Sequence, residues 1–259
     1  MSFEARSIVD THAHMCDSVF DADRGEVLAR AGKAGIAAVI AVGESLADAQ
    51  KNLELADVHP MIRPAAGLYP TLLSLPQAEE MHGFIRRHRD RLIAIGEVGL
   101  DHWVVKEEAQ WELQREIFAG FIALAREVNL PLNVHSRSAG RQTVALLLER
   151  GAARVQMHAF DGKSSTALPA VEAGVFFSMP PSIARSQQKQ KLIRHLPLEC
   201  LLVETDSPVL GPIPQERNEP AQAILSIQAI AEIKGVSEGA VIEAVRENTR
   251  RLYGEIKSR

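Results

Sequence analysis

The sequence predicts an α/β protein folded as a closed barrel of eight β-α units, and three observations carry that expectation. Short apolar runs recur at fairly even intervals, eight of them between residues 7 and 203. Longer stretches between them repeat apolar residues at three- and four-residue steps, the period of an amphipathic helix. The 259 residues also suit one such barrel, which commonly takes about 250. Runs that are apolar on both faces fit a parallel sheet covered by helices, and eight units in this length favour closure over an open, doubly wound sheet. The open sheet would bind a nucleotide, and the GxGxxG it needs after the first run is missing. The expected architecture is a (β/α)8 barrel of the TIM type, one domain over residues 1–259.

In order, the runs are 7–9, 36–42, 62–67, 92–96, 130–134, 154–157, 174–178 and 200–203. Amphipathic stretches at 23–34, 108–128, 141–150 and 183–196 read as helices among them. The proline-rich stretch 208–214 after the last run reads as an extended loop. Two helices, 221–234 and 237–253, close the chain, the second opened by Ser237 as N-cap.

A net charge of -4 argues against a broad basic surface that coats a duplex, and leaves room for a local positive cleft. Cys16 and Cys200 stand far apart and form no CxxC. Neither a disulfide framework nor a thiolate zinc site is supported, and a reducing compartment fits. The first six residues lack the apolar core of a secretory signal, and no run is long enough to span a bilayer, so the expected location is the cytoplasm, away from membranes. The oligomeric state stays open, a monomer being compatible.

The chemistry collects where the runs end. The first leads through Asp10 and Thr11 into His12 and His14, and residues i and i+2 of a strand point to the same side. Run four leads into Glu97, with Asp101 beyond; run five into His135; run six into His158; run eight into Glu204 and Asp206. Barrel strands all deliver their C-terminal ends to one mouth. Taken singly, each residue has a structural alternative: a strand cap, a hydrogen bond to a carbonyl, a pair with an arginine. Taken together they put imidazoles and carboxylates in one place, which is costly unless they are paired or bound to metal. Metal is the economical explanation, and a carboxylate able to bridge ions about 3.5–4 Å apart divides the ligands into two sites.

Other residues are read beside these. Glu204 is expected to tune or orient a ligand. His59, His82, His88 and His195 have charged neighbours and are expected to be solvated. Arg137 is either a grip for a phosphate oxygen or half of a structural ion pair, and Arg217 and Asn218 are further substrate contacts. Arg185, Lys189, Lys191 and Arg194 share a segment without an acid, either guiding a strand to the mouth or forming a solvated helical face. Trp103 is either a stacking surface for a base or loop packing.

DTHAH at 10–14, GEVGLD at 96–101, NVHSRSAGR at 133–141, MHAFDG at 157–162 and ETDSP at 204–208 resemble the TatD family of metal-dependent hydrolases over nearly the whole chain. The resemblance implies a barrel of the metallo-dependent hydrolase type that cleaves phosphodiester bonds in nucleic acid, above all DNA. It implies two divalent ions, Mg, Mn or Zn. His12, His14 and Asp206 would hold the first, His135 and His158 the second, and Glu97 would bridge. Asp206 and Glu97 would be catalytic, Asp206 orienting the attacking water or accepting its proton. One position departs from the family: Gly-x-His-Pro is usual after the third strand, where this chain reads Gly67-Leu68-Tyr69-Pro70. Tyr69 is expected to touch substrate as a neutral donor. Hydrolysis of a small ester, lactone or amide, and a metal-binding scaffold without turnover, stay open as alternatives.

Overall fold

The computed structural model describes residues 8–256; Ser7, which heads the first predicted run, and the N-terminal hexapeptide lie outside the described residues. Eight parallel strands follow one another in sequence order: β1 (Ile8–Ala13), β2 (Ile36–Ala41), β3 (Ile62–Ala66), β4 (Ala94–Gly99), β5 (Leu132–His135), β6 (Val155–Met157), β7 (Phe176–Met179) and β8 (Leu201–Val203). Helices α1 (Arg24–Lys33), α2 (Leu46–Val58), α3 (Leu75–His88), α4 (Glu108–Val128), α5 (Gly140–Glu149), α6 (Ser164–Glu172) and α7 (Gln187–His195) alternate with them, and α8 (Ala223–Lys234) and α9 (Glu238–Tyr253) follow β8. The sheet wraps into a nearly closed barrel of the expected TIM type.

The seam between β8 and β1 is closed by side chains. Thr11 Oγ1 donates to Val203 O at 2.9 Å, and Thr205 donates to the Asp10 carboxylate from its amide at 2.8 Å and its hydroxyl at 2.5 Å. Just above, Asp206 N bonds His12 O at 2.8 Å and His14 N bonds Ser207 O at 2.7 Å. The seam thus fixes His12, His14 and Asp206 relative to one another. Burial outweighs the Thr205 bonds at Asp10 and raises its pKa to about 7.

Strands β1 and β4 run further than the apolar runs suggested, and they carry His12 and Glu97 inside the sheet. Backbone pairing continues past a charged residue when the next strand offers a partner: Val98 pairs with Val134 and Gly99 with His135. Register shifts fall between Asp10 and Ala13 and between Ile95 and Val98. Such irregularities re-aim side chains, and both fall at a candidate ligand. Close approach beside Glu97 requires glycine, because a Cβ on Gly96 would stand 2.7 Å from Asn133 Cβ, and one on Gly99, at φ +147°, would stand 2.0 Å from His135 O.

The barrel interior is layered. At its base Ile40, Ala65, Ala94 and Leu202 pack with Leu252 and Tyr253 from the end of α9. A polar layer follows, in which Tyr253 donates to Gln156 Oε1 at 2.6 Å and Gln156 donates to Ser178 Oγ at 2.8 Å. Above it stand the candidate ligands. The larger apolar core fills the space between barrel and helices, where burying one Leu, Ile or Phe side chain contributes about 1.5–3 kcal/mol.

One helix reading holds and two change. Ser237 caps α9 as expected, accepting from Ala240 N at 3.2 Å. The stretch 183–196 is two elements, a 3-10 turn (Pro181–Ala184) and α7, because Ser186 turns its hydroxyl to Lys189 N and starts a new helix. His82 is buried, its ring edge-on to Phe121 with centroids 4.5 Å apart. That corrects the expectation of a solvated side chain: its position on α3 faces α4, and charged sequence neighbours do not report that.

Candidate metal centre

Six side chains from five strand ends meet at the mouth. His12 Nε2 and His14 Nε2 stand 3.7 and 3.4 Å from Glu97 Oε2, and 3.4 and 3.3 Å from Asp206 Oδ1. On the other side of the same carboxylate, Glu97 Oε1 lies 2.6 Å from His135 Nδ1 and 3.4 Å from His158 Nε2. The His12 and His158 rings stack at 3.8 Å and 9°, which brings the two groups edge to edge. Donor atoms in sets of three fall within 4.8 Å of one another for His12, His14 and Glu97, and for Glu97, His135 and His158.

Two of the rings are hydrogen-bonded from behind, and a third, His158, faces a carboxylate at longer range. Asn133 Oδ1 lies 2.8 Å from His12 Nδ1, and the Asn133 amide donates to Thr11 O at 2.9 Å. Asp101 Oδ2 lies 2.8 Å from His135 Nε2, while its Oδ1 accepts the Trp103 and Val104 amides at 2.8 and 2.7 Å. Glu204 Oε1 lies 3.4 Å from His158 Nδ1 and accepts Ala159 N at 2.8 Å; its Oε2 accepts Ser178 Oγ at 2.5 Å. A carboxylate or amide behind an imidazole fixes the tautomer and turns the other nitrogen toward the site. Glu204, read from the sequence as tuning or orienting a ligand beside Asp206, faces His158. Asn133 was missed: an amide inside an apolar strand gives no sign of which ring it will face.

Electrostatics follow from burial. Burial alone would raise the pKa of Glu97, but the bond from His135 and the charges of His135, His158 and His12 outweigh it and hold the carboxyl well below its usual range. Asp206 is held down in the same way, against burial, by His158, His12 and His14. The imidazoles answer in the opposite sense. Burial pushes His12 down, yet its Asp206 contact and Glu97 raise it to about 10, and His135, likewise opposed by burial, is raised to about 9 by Asp101 and Glu97.

Two observations test whether this donor set suits a metal. His12 Nε2 and Glu97 Oε2 are buried, have no hydrogen-bond partner, and face each other; buried polar atoms without partners are rare in folded proteins. The separations of 3.4–3.7 Å from the two imidazole nitrogens to Glu97 Oε2, and of 3.3–3.4 Å to Asp206 Oδ1, are also in the range expected of pairs of donors about 2.0–2.2 Å from one shared cation. The residues fit a divalent cation. Asp206 adopts φ +54°, uncommon for a non-glycine residue and characteristic of functional sites.

A cleft of about 460 Å³ opens over these ligands and is also lined by Glu44, Tyr69, Arg137, Asp161, Lys189 and Leu210. The Tyr69 ring stands edge-on to His135 at 5.1 Å. Arg137 is exposed and lies 5.0 Å from the Trp103 ring, and no carboxylate pairs with it among the described residues. Trp103 is itself 55% exposed, which sets aside the packing alternative. Arg217 and Asn218 are corrections. Arg217 donates to Asp23 at 2.9 and 2.5 Å and to Val19 O at 3.0 Å, and the buried Asn218 amide donates to Thr205 O and Val209 O at 2.7 and 2.8 Å. Both build the loop after β8, and neither lines the cleft. Lys189, read either as guiding a strand to the mouth or as part of a solvated helical face, is buried in the cleft wall.

Residues 9–254 match the family described as TatD related DNase. The chain is 42% identical to human deoxyribonuclease TATDN3 over 96% of each chain. It is 31% identical to YabD of Bacillus subtilis, an uncharacterized metal-dependent hydrolase, over 95% of this chain and 98% of that one. The crystal structure of YJJV, a TatD homologue from Escherichia coli K12, superposes with a TM-score of 0.90 at 26% identity, covering 97% of this chain and 99% of the other.

Proposed function

The chain belongs to the TatD-related DNase family, and from that premise we propose that it is a metal-dependent hydrolase cleaving phosphodiester bonds in DNA, with two divalent ions at the mouth of a single barrel domain. One observation supports the reading above all. Glu97 offers Oε2 to His12 and His14 and Oε1 to His135 and His158, the arrangement a bridging carboxylate needs. When bound, a pair of such ions polarises a phosphoryl oxygen and makes water acidic enough to attack near neutral pH. Four imidazoles favour zinc-like over magnesium-like ions.

The chain's own residues do the rest. His12, His14 and Asp206 hold one ion, His135 and His158 the other, and Glu97 both. Asp206, at the mouth beside His12 and His14, would orient the attacking water and accept its proton. Asn133 and Asp101 orient His12 and His135, and Glu204 faces His158 from 3.4 Å. Tyr69 donates a neutral hydrogen bond from the cleft wall, burial and the nearby carboxylates keeping its phenol protonated. No helix among the described residues is long and apolar enough to cross a membrane, and two buried, unpaired cysteines suit the cytoplasm.

The test is a panel of end-labelled single- and double-stranded DNA and RNA incubated with Mg²⁺, Mn²⁺ or Zn²⁺. Metal-dependent DNA products lost in chelator are expected. Intact oligonucleotides beside rapid turnover of a neutral ester would overturn the assignment.

A further inference from the structure

The cleft wall over the sixth and seventh β-α units holds a charge that metal binding does not use. Lys189 lies in the first turn of α7, and it is 7% exposed and lines the same cleft as Glu97, His158 and Asp206. Among the described residues its ammonium makes one hydrogen bond, to Ala159 O at 2.7 Å, and no carboxylate stands within 4 Å of it. An ammonium has three donors, so two are left. Buried charges are ordinarily paired; this one has no ion pair, and burial pushes its pKa down against the pull of the Glu204, Asp161 and Asp206 charges. Arg137 reaches the cleft from the neighbouring wall after β5, also without an ion pair among the described residues. A buried ammonium with two free donors and an arginine without an ion pair give the cleft two groups able to hold an anion.

We propose that Lys189 is the anion anchor of the cleft, its ammonium donating to a non-bridging oxygen of the substrate phosphate while Arg137 takes the same or the adjoining phosphate. The assignment rests on the phosphodiester reading above and narrows it, because the cleft then selects an anionic ester over a neutral one. A purely mechanical role is the competing explanation. Lys189 ties α7 to the loop after β6, and its neighbour Gln188 does the same, donating to Gly162 O at 2.7 Å. If tying were the whole role, removing either link would have similar consequences.

Calorimetric titration of inorganic phosphate into the metal-loaded protein separates the two. Lys189→Met is expected to lower phosphate affinity about 10- to 100-fold, the usual scale for a charge-assisted hydrogen bond. Lys189→Arg should recover most of it, and Gln188→Ala should match the parent. With a dinucleotide substrate, Lys189→Met should raise KM by a similar factor and change kcat less. Should Lys189→Met fail to fold, Lys189→Gln keeps a donor for Ala159 without the charge and carries the same comparison. Unchanged phosphate affinity without the lysine charge, or an equal loss in Gln188→Ala, overturns the proposal. Phosphate binding is read without turnover, so failure of the parent to cleave DNA would sink the proposed function and leave this result legible.

Discussion

His12 Nε2 and His14 Nε2 stand 3.7 and 3.4 Å from Glu97 Oε2 and 3.4 and 3.3 Å from Asp206 Oδ1, and His12 Nε2 and Glu97 Oε2 have no hydrogen-bond partner. Around Oε1 only two imidazoles join the carboxylate, and one of them, His135, has closed on it to 2.6 Å. The first group is braced by the barrel seam; both groups reach the cleft, His14 and Asp206 from the first and His135 and His158 from the second, beside Tyr69, Arg137 and Lys189. A fully furnished set of donors holds a cation as structure, and a set with a position to spare leaves room for water and substrate. On the proposed two-ion reading, the first group, with more protein donors, is expected to retain its ion and the second to exchange it.

The largest effect should come from the residue the groups share. Glu97→Gln is expected to drop metal content from two ions to fewer than one and turnover by at least about 1000-fold, about 4 kcal/mol of barrier. Elemental analysis finding two ions in that variant would break the bridge. His12→Ala and His158→Ala should both abolish turnover with the barrel still folding cooperatively. His158→Ala should keep one tightly held ion, whereas His12→Ala should hold what remains weakly. Equal retention in both would erase the asymmetry. Asp206→Asn should lower kcat more than it raises KM, and a KM effect alone would deny it the proton.

The supporting partners sharpen the contrast at a smaller scale. Asn133→Ala should weaken the first ion, and Asp101→Asn or Glu204→Gln the second, each by about 10- to 100-fold. Two-step chelator titrations read the ions separately, and a variant that weakens both equally would show the groups to be one unit.

Chelated protein should show a pH dependence that the loaded protein lacks. His12 and His135 are raised from 6.5 to about 10 and about 9. Raised imidazole pKa values stabilise the fold fully below pH 6.5, and that contribution is lost as pH rises through 9 to 10. Melting temperature in EDTA should therefore fall across this window. Because the same nitrogens bind protons or metal, metal affinity should rise with pH over the same range. A flat profile in EDTA would mean that the imidazoles are not charged in the metal-free fold.

Tyr69 should give the smallest effect. Tyr69→Phe should weaken activity a few-fold by removing a donor, and Tyr69→His should retain or raise it with a new dependence between about pH 6 and 7. Identical activity of parent and both variants from pH 5 to 9 would show that the phenol takes no part.

Much of this was written locally. The period-two spacing of His12 and His14, and the polar residues that end apolar runs, are properties of neighbouring positions, and the barrel rule that gathers strand ends at one mouth turns them into a cluster without coordinates. The extension of β1 and β4 through His12 and Glu97 was hidden, because a strand continues wherever its neighbour offers backbone partners, and those partners lie far along the chain. The same limit separates Lys189 from Arg217. Both read as cations near the mouth, yet Asp23 takes Arg217 into a loop, while Lys189 is buried with a lone carbonyl. Asn133 behind His12, and Thr205 on Asp10 across the seam, likewise join residues more than a hundred positions apart. Chemical type and periodicity are carried by the sequence; which buried charge finds a partner is decided only when distant segments meet, since burial and pairing are properties of the packed chain.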